Sequence, residues 1–138
     1  MSGPGDPRIM QLFDESTIDP YEQTECMRAL EAVLATTGWA LDDVAALSQP
    51  FSLLVLGRVG MVECHERGGF KKRLEVDVVL PWGNIINVAQ TEPTLKVFGL
   101  DVTEQGGAVR SYKWSGGSQR SFAERNRVYD TIAVCMGV

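Results

Sequence analysis

The chain is poor in the residues on which most enzyme chemistry depends. Its 138 residues include one histidine, His65, and three cysteines, Cys26, Cys64 and Cys135, widely spaced and with no CxxC pair. One imidazole does not furnish a usual zinc shell, and thiols so placed read as small buried apolar groups in a reducing compartment, with neither metal nor cofactor expected. No apolar run approaches the ~20 residues that cross a bilayer. The opening MSGPGDPRIM also lacks the apolar segment behind a basic start that marks a secretory signal, so a cytoplasmic location is expected. Net charge is −5, and nucleic-acid binding, which draws on clustered Lys and Arg, is not expected.

What is present is ordinary in amount and uneven in placement. A hydrophobic fraction of 44% and a charged fraction of 22% fit one globular domain. Residues 1–50 carry nine acidic and two basic side chains, a net −7, whereas residues 51–138 carry nine and eleven, a net +2. The division expected is a helical extension over 1–49 and a strand-rich part with a closing helix over 50–138, together one compact unit.

Residues 74–88, LEVDVVLPWGNIINV, anchor the fold reading. Leu74, Val76, Val78 and Leu80 alternate with Glu75 and Asp77 at the period of a half-buried strand, and Pro81 and Gly83 interrupt the ladder before a second strand begins at Ile85. Around it, glycine-punctuated segments predict further strands over 51–56, 61–65, 95–102 with a bulge at Gly99, and 108–114, and a break at residues 91–93. At least six strands are needed. Before them, Asp19-Pro20 opens a helix that ends at Gly38, and Asp42 or Asp43 caps a shorter one through Val44 to Leu47. Residues 1–17 are assigned no structure. Ser121 and Glu124 have capping-box spacing at the start of a last helix, about 118–135, with Phe122, Tyr129, Ile132, Ala133 and Met136 as its apolar stripe and Arg120, Arg125 and Arg127 off it.

In this order of elements, Leu80-Pro81-Trp82-Gly83-Asn84-Ile85-Ile86-Asn87-Val88 resembles the Ile/Leu-Pro-Tyr/Trp-x-x-Ile-x-x-Val segment that follows a strand in the bacterial pleckstrin-homology-like (PH-like) domain family. The resemblance covers about residues 50–138. It implies an α+β fold in which a bent antiparallel barrel, usually of seven strands, is capped by a C-terminal helix. The seventh strand would be one missed above or one lying before Pro50. A fold of this kind implies no single function.

No catalytic constellation is found. Cys64 and His65 are adjacent on a strand and so face opposite sides, with Val62 and Cys64 inward and Glu63 and His65 toward solvent. Glu75 and Asp77 share a strand face and would serve acid–base work only with partners the sequence does not show. Arg67, Phe70, Lys71, Lys72 and Arg73 form the densest basic cluster, at a hairpin, either a solvated loop or a candidate for a protein partner or anionic lipid headgroups. Tyr112 and Trp114 share a strand face, as core or as a candidate interface. The reading is a non-enzymatic PH-like adaptor for an unidentified protein partner. The alternatives are a peripheral adaptor at the inner membrane face, held through residues 67–73, and, least supported, a small hydrolase.

Overall fold

A computed structural model of the chain describes residues 7–16, 18–50, 52–68, 73–115 and 119–137. The expected Gly-capped helix is present: a 3-10 turn at Pro20–Glu22 leads into α2 (Gln23–Thr37), and Gly38 ends it in the left-handed region at φ 78°, its N–H donating to Leu34 O at 2.9 Å. Ahead of it stands a helix the sequence did not announce, α1 (Pro7–Asp14). Pro7 begins it, and Ile9, Leu12 and Phe13 line one face at helical spacing and are buried.

The expected helix through Val44 to Leu47 is a strand. Asp43 caps no helix there: it is the last residue of a 3-10 turn at Leu41–Asp43, and its carboxylate reaches back to accept the Ala40 N–H at 2.9 Å. The chain then extends into β1 (Val44–Ser48), because the next apolar residues bury on alternating sides and not on a helical stripe. This supplies the strand missing from the count of six, and it lies before Pro50. Residue 49 is accordingly no boundary between a helical extension and a sheet.

Four antiparallel strands, β1, β2 (Leu53–Gly57), β3 (Gly60–Arg67) and β4 (Arg73–Pro81), form the first sheet in that order. After β4 the expected corner is a 3-10 turn at Trp82–Asn84, anchored by the indole N–H of Trp82 donating to Gly57 O at 2.9 Å. A second antiparallel sheet follows, β5 (Ile85–Thr94), β6 (Val97–Glu104) and β7 (Val109–Ser115), and then α3 (Gln119–Met136). The molecule is α+β with sheets of four and three strands, and the two sheets do not close on each other through strand pairing.

Two details of the second sheet differ from expectation. Pro93 does not break β5: an edge strand needs no donor on its free side, and the ladder shifts register between Thr91 and Thr94. Gly99 is not a bulge, because β6 runs in continuous register with β7 from Val97 to Thr103. It is glycine because β5 lies close, and a Cβ there would come 2.4 Å from Thr91 Oγ1.

Both faces of the first sheet are covered. Val44, Leu47, Leu53, Val55, Val62, Cys64 and Leu74 meet α1 and α2 through Ile9, Leu12, Phe13, Cys26, Ala29, Leu30 and Val33. The alternate residues Ala46, Leu54, Leu56, Met61 and Leu80 meet the second sheet and α3 through Leu100, Val102, Tyr112, Trp114, Val128 and Ile132. Docking on the sheet satisfies the apolar face of α2, while Tyr21, in the 3-10 turn ahead of it, is exposed. Arginines on the helices complete the edges by donating to strand carbonyls: Arg8 to Val44 O, Arg28 to Leu74 O and Arg127 to Leu47 O.

Candidate functional site

The residues expected to form a site are dispersed. Phe70, Lys71 and Lys72 lie outside the described residues. Arg67 and Arg73 face each other across the β3–β4 pair, and Arg67 Nη2 donates to Asp77 Oδ1 at 2.6 Å, so its charge is matched within the hairpin. Asp77 is the extra residue where the β3–β4 register shifts, which turns it toward Arg67 and to within 3.8 Å of His65 Nε2.

Tyr112 and Trp114 do share a face, and that face is inside. Both are buried in the core between the sheets, so neither presents a surface to a partner; core packing accounts for them. Their polar atoms explain why burial is tolerated. The Tyr112 hydroxyl donates to Glu63 Oε2 at 2.6 Å, and burial, reinforced by that carboxylate, pushes its pKa up. The Trp114 indole donates to Ser48 Oγ at 3.0 Å, Ser48 donates to Glu124 Oε2 at 3.1 Å, and Arg127 Nε donates to Glu124 Oε1 at 2.9 Å.

Glu63 departs most from the sequence reading. It was expected toward solvent, yet it is 6% exposed, because the face of β3 opposite α2 is covered by the second sheet. Three donors converge on its carboxylate: Tyr112, Arg110 Nη1 at 3.3 Å, and the His65 ring, whose Nε2 lies 3.0 Å from Oε1. Arg110 Nε also donates to Glu104 Oε2 at 3.1 Å. A carboxylate so engaged and so buried ties β3 to β7.

Nucleophilic chemistry finds no support among the described residues. Cys64 and His65 point to opposite sides as expected, Cys64 into the core beside α2. Burial pushes the thiol of Cys26 up to about 12 and that of Cys64 up to about 11, which leaves both protonated and unreactive near neutrality. Among the described residues no group of three or more His, Cys, Asp or Glu is placed to hold a metal ion. Nor is any helix long and apolar enough to cross a membrane.

The surface feature that sequence reasoning missed lies where the β5–β6 turn meets the start of α3. Leu95, at the turn, is 98% exposed, and it lines a cleft of about 430 Å³ with Glu92, Thr94 and Phe98. Phe98 meets the exposed Phe122 edge-on at 5.2 Å, and the guanidinium of Arg125 lies against both rings, 5.5 and 5.4 Å from their centroids. The helical stripe placed Phe122 inward and Arg125 outward. The structure reverses them, Arg125 being 2% exposed. No protein-family model matches the chain, and no curated protein matches its sequence.

Proposed function

We propose that the chain is a non-enzymatic binding module with a PH-like fold that recognises a protein partner. Seven antiparallel strands followed by a closing helix support this reading, since the resemblance implies usually seven strands and a C-terminal helix, and Leu80-Pro81-Trp82 lies at the passage from one sheet to the other. The observation that carries the binding reading is the apolar group Leu95, Phe98 and Phe122. A leucine left almost wholly in water at a cleft that Phe98 also lines, with the exposed Phe122 packed on Phe98, is the kind of surface that marks a partner site, since scattered apolar exposure is common and clustered exposure is not.

The test is affinity capture from native lysate with the full chain, its Leu95→Ser variant and its Phe122→Ser variant, run beside co-sedimentation with neutral and anionic vesicles. A protein retained by the parent chain, depleted about tenfold or more by either substitution, and no vesicle binding is the expected result; hot-spot truncations of about 1.4 kcal/mol or more have that effect. Salt-sensitive binding to anionic vesicles, abolished by Lys71→Glu with Lys72→Glu, would instead favour a peripheral adaptor held to lipid through residues 67–73.

A further inference from the structure

Arginine is seldom buried without a close carboxylate. Arg125 nevertheless makes its hydrogen bonds to uncharged oxygens: Nε donates to Asn126 Oδ1 at 2.8 Å, and Nη1 donates to Thr91 O at 3.0 Å and Gly99 O at 3.3 Å. Its remaining nitrogen, Nη2, faces Glu92 Oε1 at 3.5 Å, which is long for a charge-assisted bond. Glu92 is 63% exposed at its side chain and also lines the cleft beside Leu95, so it stands between the cleft and the guanidinium. Phe98 and Phe122, in edge contact with each other, both pack against the guanidinium.

We propose that this cleft is a binding site for a carboxylate carried next to an apolar group, as at the end of a peptide chain or in an acidic–apolar stretch, and that Glu92 fills the carboxylate position until it is displaced. The chemistry of the internal occupant defines that of the ligand. Nη2, the nitrogen not engaged by backbone or Asn126, offers a charge-assisted bond to a carboxylate oxygen, and the exposed Leu95 with the half-buried Phe98 provides the adjoining apolar contact. Displacement is cheap on the side of Glu92, because its carboxylate is already largely in water and the β5–β6 register is interrupted between Thr91 and Thr94, where it sits. Once Glu92 has swung out, Arg125 and the neighbouring exposed Lys96 present positive charge to the ligand.

The site rests on the protein-partner reading only for the source of its ligand, so small probes test it separately. The full chain is titrated with N-acetyl-leucine, whose carboxylate is terminal, with N-acetyl-leucyl-glutamate amide, whose carboxylate is on a side chain, and with neutral N-acetyl-leucinamide. NMR signals of the Leu95 methyls and the Arg125 Nε–H report binding. Saturable shifts with either carboxylate and none with the amide are expected, the stronger carboxylate naming the ligand's source. Glu92→Gln should tighten binding by about threefold or more, because apparent affinity is reduced by the fraction of sites open to ligand. Leu95→Ser should weaken it. Equal response to carboxylate and amide, or a Glu92→Gln variant that binds no more tightly, overturns the proposal. If that happens while capture still depends on Leu95, the protein-partner reading stands and the carboxylate site falls.

Discussion

Between the first two helices and the first sheet, every buried side chain among the described residues is apolar, from Ile9 and Leu12 through Leu30 and Val33 to Val55 and Val62. Across the same sheet the core admits Ser48, Glu63, Glu124 and Arg125. The apolar core needs only matching volume and tolerates substitutions that preserve it. The polar one has directional requirements: Glu63 joins β3 to β7, and Ser48 joins β1 to both Trp114 on β7 and Glu124 on α3. Helix burial thus makes the first core a scaffold, while hydrogen bonds fix how the second sheet and α3 sit on it, and the exposed Leu95 cleft belongs to that second region.

The largest effects should come from placing an unpaired charge in either core. Leu30→Asp and Ile132→Asp each bury a carboxylate with no donor prepared for it, and each should destabilise by on the order of 4 kcal/mol or more. Urea unfolding measures both. An unchanged midpoint for Leu30→Asp would mean that α2 is not part of the scaffold, and the contrast between the two cores would collapse.

A smaller substitution separates the cores. Tyr112→Phe changes shape little but removes the shortest donor to Glu63, and it should cost about 1–3 kcal/mol because a buried acceptor loses its partner. Leu30→Met in the apolar core, a change of similar bulk, should cost less than about 1.5 kcal/mol. Combining Tyr112→Phe with Glu63→Leu should cost less than the sum of the two single changes, since the unsatisfied carboxylate is then gone. Strict additivity would mean that Glu63 and Tyr112 do not depend on each other.

The legible parts of the fold were those where local chemistry and final packing agree. Gly38 and Pro81-Trp82 each describe the structure found, whereas the alternation of Leu74 to Leu80 gives the strand but not its faces: the register shift at Asp77 leaves Leu74 and Val76 against the helices and turns Val78 and Leu80 toward the second sheet. β1 was not legible, because Asp43 is a residue type that starts helices but here ends a 3-10 turn, and burial on two faces, a tertiary fact, decides that the residues after it extend into a strand. Ser121 and Glu124 have capping-box spacing, yet the helix already begins at Gln119; Ser121 donates to Ser115 O, and Glu124 turns inward to Ser48. The candidate site was least legible. Alternation alone sends Glu63 to water, and periodicity alone buries Phe122 and exposes Arg125, because neither carries the position of a second sheet. Arginine-rich polarity on an otherwise amphipathic α3 is the available signal, and it does not by itself say which arginine turns inward.

The smallest predicted effect lies at the edge of the scaffold, where Glu25 and Arg28 of α2 engage the backbone of β4. Glu25 Oε2 accepts the Leu74 N–H at 2.7 Å, Arg28 donates to Leu74 O, and Arg28 Nε donates to Glu25 Oε1 at 2.7 Å. Two side chains thereby take the place of a neighbouring strand. The bond from Arg28, with the Leu74 amide and nearby positive charge also acting, holds the Glu25 carboxyl down at about 2 against an ordinary 4.5. A carboxyl whose pKa falls on folding stabilises above its unfolded value, so this contribution is complete above about pH 4.5 and is lost as pH falls toward 2. Solvent screening at a side chain 38% exposed keeps it to about 1 kcal/mol or less. Glu25→Gln keeps an oxygen for the Leu74 amide and removes the charge. Urea midpoints for the two proteins should differ at about pH 7 and converge between pH 4.5 and 2, with the midpoint of the substituted chain responding less to acid. A difference constant across that range would show that the clamp acts through shape and hydrogen bonding alone, and that the charge on Glu25 contributes nothing to holding α2 on the sheet.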